Sequence, residues 1–157
     1  MQMRFLKSSE DFAKAQCLIK NSVFTAGAAR RRALHEVICD GLSDGAWTGI
    51  GLFDDEDDLV SCLCFKQVTP RKIEFGICCT DQDYRFRGYM TNLLKNVIAA
   101  NRNAEFAIGT YRGNIGMIKC LRNVGFQEDD PAPRDRFNSR SPVHYTLKPR
   151  NGMDVYW

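Results

Sequence analysis

Apolar positions along this chain change period several times, and each change marks an element. Met3 to Leu6 form a short apolar run that predicts a first strand. Ser8 and Asp11 then fit the S-x-x-D pattern of a helix start, and Phe12, Ala15, Ile19 and Val23 follow at the spacing of one helical face. Ala33, Leu34, Val37 and Ile38 predict a second helix, with Gly41 placed to end it. Three strand-like runs come next: Trp47 to Phe53, Leu59 to Val68, and Lys72 to Thr80. The acidic stretch Asp54 to Asp58 reads as a solvated hairpin connection between the first two. Met90, Leu93, Leu94, Val97 and Ile98 make the clearest apolar stripe in the chain, on a helix that includes Thr91 to Ala100. Glu105 to Thr110 reads as a strand and Asn114 to Val124 as a shorter helix stopped by Gly125. Asp129 to Pro142 carries three prolines and three arginines and reads as a loop before a last strand, Val143 to Lys148.

The order is therefore β-α-α-β-β-β-α-β-α-β, which predicts an α/β sandwich around a mixed sheet. No internal repeat interrupts it, and 157 residues fit a single domain spanning 1–157.

Composition narrows the function classes only a little. A hydrophobic share of 44% and a charged share of 26% are those of an ordinary globular protein, and a net charge of +3 does not favour a nucleic-acid partner. There are seven cysteines. Cys62 and Cys64 share a strand face, whereas Cys78 and Cys79 point to opposite faces, and no further His or Cys completes a zinc-type set. They read as small buried hydrophobes in a reducing compartment, with no metal expected. The acidic turn lacks the glycine and terminal glutamate of a calcium loop. No charged-then-apolar leader opens the sequence and no apolar run approaches about 18 residues, so a cytoplasmic protein without membrane contact is expected. Arg30, Arg31 and Arg32 would oppose the dipole at the start of the second helix, which places that start nearer Thr25. His35 and His144 receive no role. The aromatic tail Met153 to Trp157 needs cover, from its own domain or from a homodimer contact.

The candidate chemistry centres on "DYRFRGYM", Asp83 to Met90, a basic turn between a strand and a helix. The amides of Arg87, Gly88, Tyr89 and Met90 belong to the unpaired donors of that helix start and converge on one anion with the positive end of the dipole. Gly88 permits the close backbone approach, and Arg85 and Arg87 add charge-assisted hydrogen bonds.

With its neighbourhood, "IEFGICCTDQDYRFRGYMTNLL", this turn resembles the central strand, loop and helix of the GNAT superfamily of N-acetyltransferases. Arg85 and Gly88 match the family's acetyl-CoA signature, and Met90 stands where the signature ends in a small residue. "GYMTNLL" looks like the version in the ribosomal-protein N-terminal acetyltransferase branch. A second block, "NIGMIKCLRNVGF" from Asn114 to Phe126, is similar to the family's downstream helix, with Asn114, Gly125 and Phe126 in the matching places.

The resemblance implies a mostly antiparallel central sheet flanked by helices, acetyl-CoA as cosubstrate, and direct acetyl transfer to an amine of a small molecule or protein. By position, the backbone of Cys78, Cys79 and Thr80 would hold the pantetheine arm. The turn Arg85, Phe86, Arg87, Gly88, Tyr89, Met90 and Thr91 would hold the pyrophosphate. Asn114 would contact the arm, and the thioester would lie where the strands ending at Thr80 and Thr110 splay apart. Glu74, expected on one strand face with Gly76, Cys78 and Thr80, is the candidate base; the competing reading is a solvent-facing or salt-bridged carboxylate. The family's usual tyrosine acid falls on Leu121, and the earlier serine alternative on Met117; Tyr111 and Cys120 stand nearby. Arg30 to Arg32, Arg134, Arg136 and Arg140 lie in the segments that would shape the substrate site and favour an acceptor with some negative charge. Two other readings share the fold: an acetyl-CoA-sensing module without catalysis, and a toxin-like aminoacyl-tRNA acetyltransferase.

Overall fold

A computed structural model describes residues 1–22, 38, 40–129 and 141–149. Val23, Thr25, Arg30 to Val37 with His35, most of the Asp129-to-Pro142 loop with its three arginines, and the tail Met153 to Trp157 lie outside the described residues. The elements are β1 (Gln2–Phe5), α1 (Ser9–Ser22), β2 (Thr48–Phe53), β3 (Leu59–Thr69), β4 (Lys72–Thr80), α2 (Tyr89–Ala100), β5 (Glu105–Tyr111), α3 (Ile115–Val124), β6 (Gln127–Glu128) and β7 (Pro142–Leu147). The strands form one seven-stranded sheet in the order β1-β2-β3-β4-β5-β7-β6. Every neighbouring pair is antiparallel except β4 and β5, which run parallel. The predicted mixed, mostly antiparallel α/β sheet is thus present. The added strand, β6, has two residues, too few to show a period.

Local chemistry explains the helix boundaries. At the start of α1 the Asp11 N–H donates to Ser8 Oγ at 3.1 Å and the Ser8 N–H to Asp11 Oδ2 at 3.4 Å, a reciprocal capping pair. Residues 40–44 are helical, and the turn after them sits at Gly45, with φ 85°. The expectation that Gly41 ends this helix is therefore corrected. Gly41 serves close packing: a β-carbon there would stand 2.4 Å from Trp47 Cδ1, and its carbonyl accepts the Trp47 N–H.

Each face of the sheet carries its own core. On one side α1, Ile38 and Leu42 cover Phe53, Cys62, Cys64 and Cys79. On the other, α2 and α3 cover Ile73, Phe75, Phe106, Ile108 and Tyr145. Cys62 and Cys64 are fully buried with sulfurs 3.8 Å apart, and Cys78 and Cys79 point to opposite faces, as their spacing predicts. Among the described residues no helix is long and apolar enough to cross a membrane, and no three His, Cys, Asp or Glu side chains could hold a metal ion.

One irregularity matters for function. On β3 and β4, Leu63 pairs with Cys78 but Phe65 pairs with Phe75, so β4 holds an extra residue between them. Such a bulge reverses the alternation of side chains beyond it. Ile73 and Phe75 face α2 and α3, yet Ile77 and Cys79 face α1 while Cys78 turns back to α2 and α3. Glu74 and Gly76 therefore share the α1 side, and Cys78 and Thr80 take the other. The expected single face for these four residues is overturned by the bulge.

Candidate functional site

The parallel register of β4 and β5 runs from Lys72 with Glu105 to Phe75 with Ile108, and stops there. Beyond the bulge no further pairing joins the two strands, so among the described residues the last part of β4 has no strand partner on its β5 side. The Asp81 N–H donates to Val60 O at 2.8 Å, on the β3 side. Because peptide groups alternate sides along a strand, the N–H and C=O of Cys78 and Thr80 face the gap. Cys79 directs its own toward β3, where its carbonyl accepts the Ser61 hydroxyl at 3.3 Å. Thr80 O accepts from Arg85 Nε at 3.2 Å, which ties the start of the basic turn to the end of the strand.

The turn itself is built from aspartate and aromatic contacts. Asp81 caps the short 3-10 turn Gln82–Tyr84 by accepting the Asp83 N–H at 2.8 Å. The Tyr84 ring packs 6.4 Å from Tyr89, and its hydroxyl donates to Asp54 at 3.3 Å. Burial, and then the bond to Asp54, push the Tyr84 phenol above its ordinary value. Arg87 lies over the Tyr84 ring, 5.3 Å from the centroid, and donates to Asp83 O at 3.3 Å.

Gly88 caps α2 with φ 78° and ψ 10°, a left-handed conformation in which a side chain is strained. The first α2 bond runs from the Asn92 N–H to Gly88 O, so the amides of Gly88, Tyr89, Met90 and Thr91 precede it. A β-carbon at Gly88 would meet no atom within 4 Å. Open space, free helix-start donors and two arginines thus coincide beside the end of β4. That combination fits the pyrophosphate of a coenzyme A-type ligand.

Asn114 caps α3, accepting the Met117 N–H at 3.4 Å and donating to Thr110 Oγ1 at 3.1 Å. It thereby fixes α3 to the end of β5. Gly125, with φ 112°, ends α3, and its N–H and that of Phe126 return to Leu121 O. Leu121 is fully buried, so the place of the usual tyrosine is filled by core. Met117, Cys120 and Tyr111 are each half-buried.

The α1 side carries different groups. Glu74 is exposed, between Lys66 on β3 and Ala107 on β5, and no ion pair among the described residues engages it. His144, which had no role in the sequence reading, is exposed on β7 directly opposite Gly109. Its Cε1 and Nδ1 stand 3.3 Å from where a Gly109 β-carbon would be, so the missing side chain lets the imidazole lie against β5. Only the β5–β7 register reveals this; nothing near His144 in sequence signals it.

Residues 16–126 match the Acetyltransferase (GNAT) family. No curated protein matches the chain by sequence. Among solved structures, the ribosomal-protein-S18-alanine N-acetyltransferase from Escherichia coli superposes with a TM-score of 0.72 at 13% identity, covering 99% of this chain and 100% of that one. The PaiA N-acetyltransferase from Thermoplasma acidophilum, solved with coenzyme A, gives 0.70 at 14% identity over 94% and 99%. The spermidine N-acetyltransferase from Vibrio cholerae, solved with CoA and spermine, gives 0.66 at 12% over 93% and 95%. At such identities these likenesses speak for the fold.

Proposed function

Since the chain belongs to the GNAT acetyltransferase family, we propose that it transfers an acetyl group from acetyl-CoA to a primary amine by direct attack, as one domain spanning residues 1–157. The observation that carries this reading is the gap between β4 and β5 with the Gly88-capped start of α2 at its mouth. Bound there, acetyl-CoA supplies an activated acetyl thioester. The amides of Gly88 to Thr91, with Arg85 and Arg87, hold its pyrophosphate. The peptide groups of Cys78 and Thr80 pair with its amide-bearing arm in place of a missing strand. Asn114, committed to capping α3, borders the arm with its remaining hydrogen-bonding capacity.

The bulge divides the labour between the two faces. The donor lies along the edge served by Cys78 and Thr80, while the amine enters from the α1 side, where Glu74 is exposed. An ammonium group is not a nucleophile, so its proton must leave first. Glu74 accepts it, directly or through water, on the face by which the amine arrives. The nitrogen then attacks the thioester carbonyl, the C–S bond breaks, and the departing CoA thiolate takes up the nitrogen's second proton, directly or through water. Acetyltransferases named for spermidine and for a ribosomal protein share this fold, which supports small-molecule and protein amines alike as the substrate class.

Calorimetric titration with acetyl-CoA and CoA, on the wild type and on Gly88→Glu, tests the cofactor half. Micromolar binding that the substitution abolishes supports the cradle; no binding by the wild type overturns it. CoA release across a panel of amines tests the transfer, and no turnover with any amine or amino-terminal peptide removes the catalytic half.

A further inference from the structure

Phe86 sits in the middle of the phosphate turn with its side chain 100% exposed. Its backbone is left-handed, φ 65°, a conformation that bulky residues rarely adopt. Only one other described non-glycine residue has a positive φ, Asp57, and its carboxylate is held by Arg4 and Lys14. Among the described residues Phe86 has no such packing or bonding to offset its strain. A fully exposed ring held on a strained backbone beside an anion site points to a ligand that meets it there.

The two other aromatic rings of the turn are already engaged. Tyr84 and Tyr89 pack on each other and against the α2–α3 core, and Arg87 covers one face of Tyr84. Phe86 therefore presents the one open aromatic ring of the turn. Its place also matches the connectivity of the donor. In coenzyme A the pyrophosphate separates the pantetheine arm from an adenosine. With the arm on the open edge of β4 and the pyrophosphate at Gly88, the adenosine leaves the turn on the solvent side, where Phe86 projects.

We propose that Phe86 is the stacking platform for the adenine ring of the acyl donor, so that this turn reads the nucleotide as well as its charge. Every base offers a π-face, and stacking on an aromatic side chain is sequence-tolerant and strong. The inference rests on the cofactor reading above and adds to it a residue that selects coenzyme A over the shorter 4′-phosphopantetheine.

Titration of wild type, Phe86→Ala and Phe86→Leu with CoA and with 4′-phosphopantetheine tests it, together with the fluorescence of etheno-CoA, whose emission stacking quenches. Loss of the ring should weaken CoA about tenfold in both variants, leave 4′-phosphopantetheine within about twofold, and relieve the quenching. Equal weakening of both ligands would mean that Phe86 only shapes the turn, and overturns the proposal. Unchanged CoA affinity, or identical quenching by wild type and Phe86→Ala, does so too. Wild type that binds no CoA at all would instead sink the cofactor assignment and this inference with it.

Discussion

Glu74 and Cys78, both on β4, stand on opposite faces of the sheet because the strand carries an extra residue between Phe75 and Cys78. The proposed base is thereby separated from the edge proposed to receive the donor. Glu74→Gln should lower kcat by about 100-fold, the usual scale for a positioned general base, while CoA affinity stays unchanged. Steady-state rates and a CoA titration on the same preparation check both halves. Wild-type turnover at every pH would remove Glu74 from the role.

The bulged stretch also holds a glycine in close contact. A β-carbon at Gly76 would lie 2.6 Å from Trp47 Cζ3 and 2.9 Å from Cη2, inside the indole. Gly76→Ala should cost about 1–3 kcal/mol, the range for overpacking a close contact. Urea unfolding reads the loss. In a Trp47→Ala background the cost should shrink, because neighbours that clash are not additive.

These residues also show what the sequence could and could not disclose. The α1 cap was legible because Ser8 and Asp11 announce it by spacing, and α2 because five apolar residues recur on one face. Gly88 was legible as the start of α2 because a glycine directly ahead of an apolar helical stripe marks a helix boundary. The bulge was hidden: in "IEFGICCT" almost every position is apolar or small, so no alternation exists to be broken. The role of Gly41 was hidden for a related reason, since a glycine that admits Trp47 looks the same in sequence as one that ends a helix. His144 over Gly109 required a register between strands more than thirty residues apart, which no local pattern encodes.

Leu121 offers a test of whether the missing tyrosine is an accident. The side chain is fully buried in the core under α3. Leu121→Tyr should therefore overpack that core and lower stability by about 1–3 kcal/mol without raising turnover. Thermal melts and acetylation rates decide. A faster, equally stable variant would show that the position still opens onto the leaving group.

Far from the site, Arg4 joins β1, α1 and the β2–β3 turn through ion pairs that acid should weaken. Its guanidinium donates to both Asp11 carboxylate oxygens at 2.9 Å and to Asp57 at 2.9 Å, and it lies 3.6 Å from the Phe53 ring centroid. Burial pushes the Asp11 carboxyl up, but the Lys7 N–H, the Arg4 guanidinium and the Ser8 N–H together pull it below its ordinary value. Asp57 is held low as well, by Arg4 and Lys14. A carboxyl depressed by folding adds stability that is complete above its unfolded value, about 4, and is lost as pH falls through the lower folded value. The melting temperature should therefore drop as pH is taken from about 4 towards 2. Asp11→Asn should be less stable at neutral pH by about 1–3 kcal/mol, since Arg4 loses a charged partner. It should also fall less steeply in acid, because residue 11 no longer titrates while Asp57 still does. Melts of both proteins across that range check the slope, and parallel curves would mean that Asp11 is not the group that sets it.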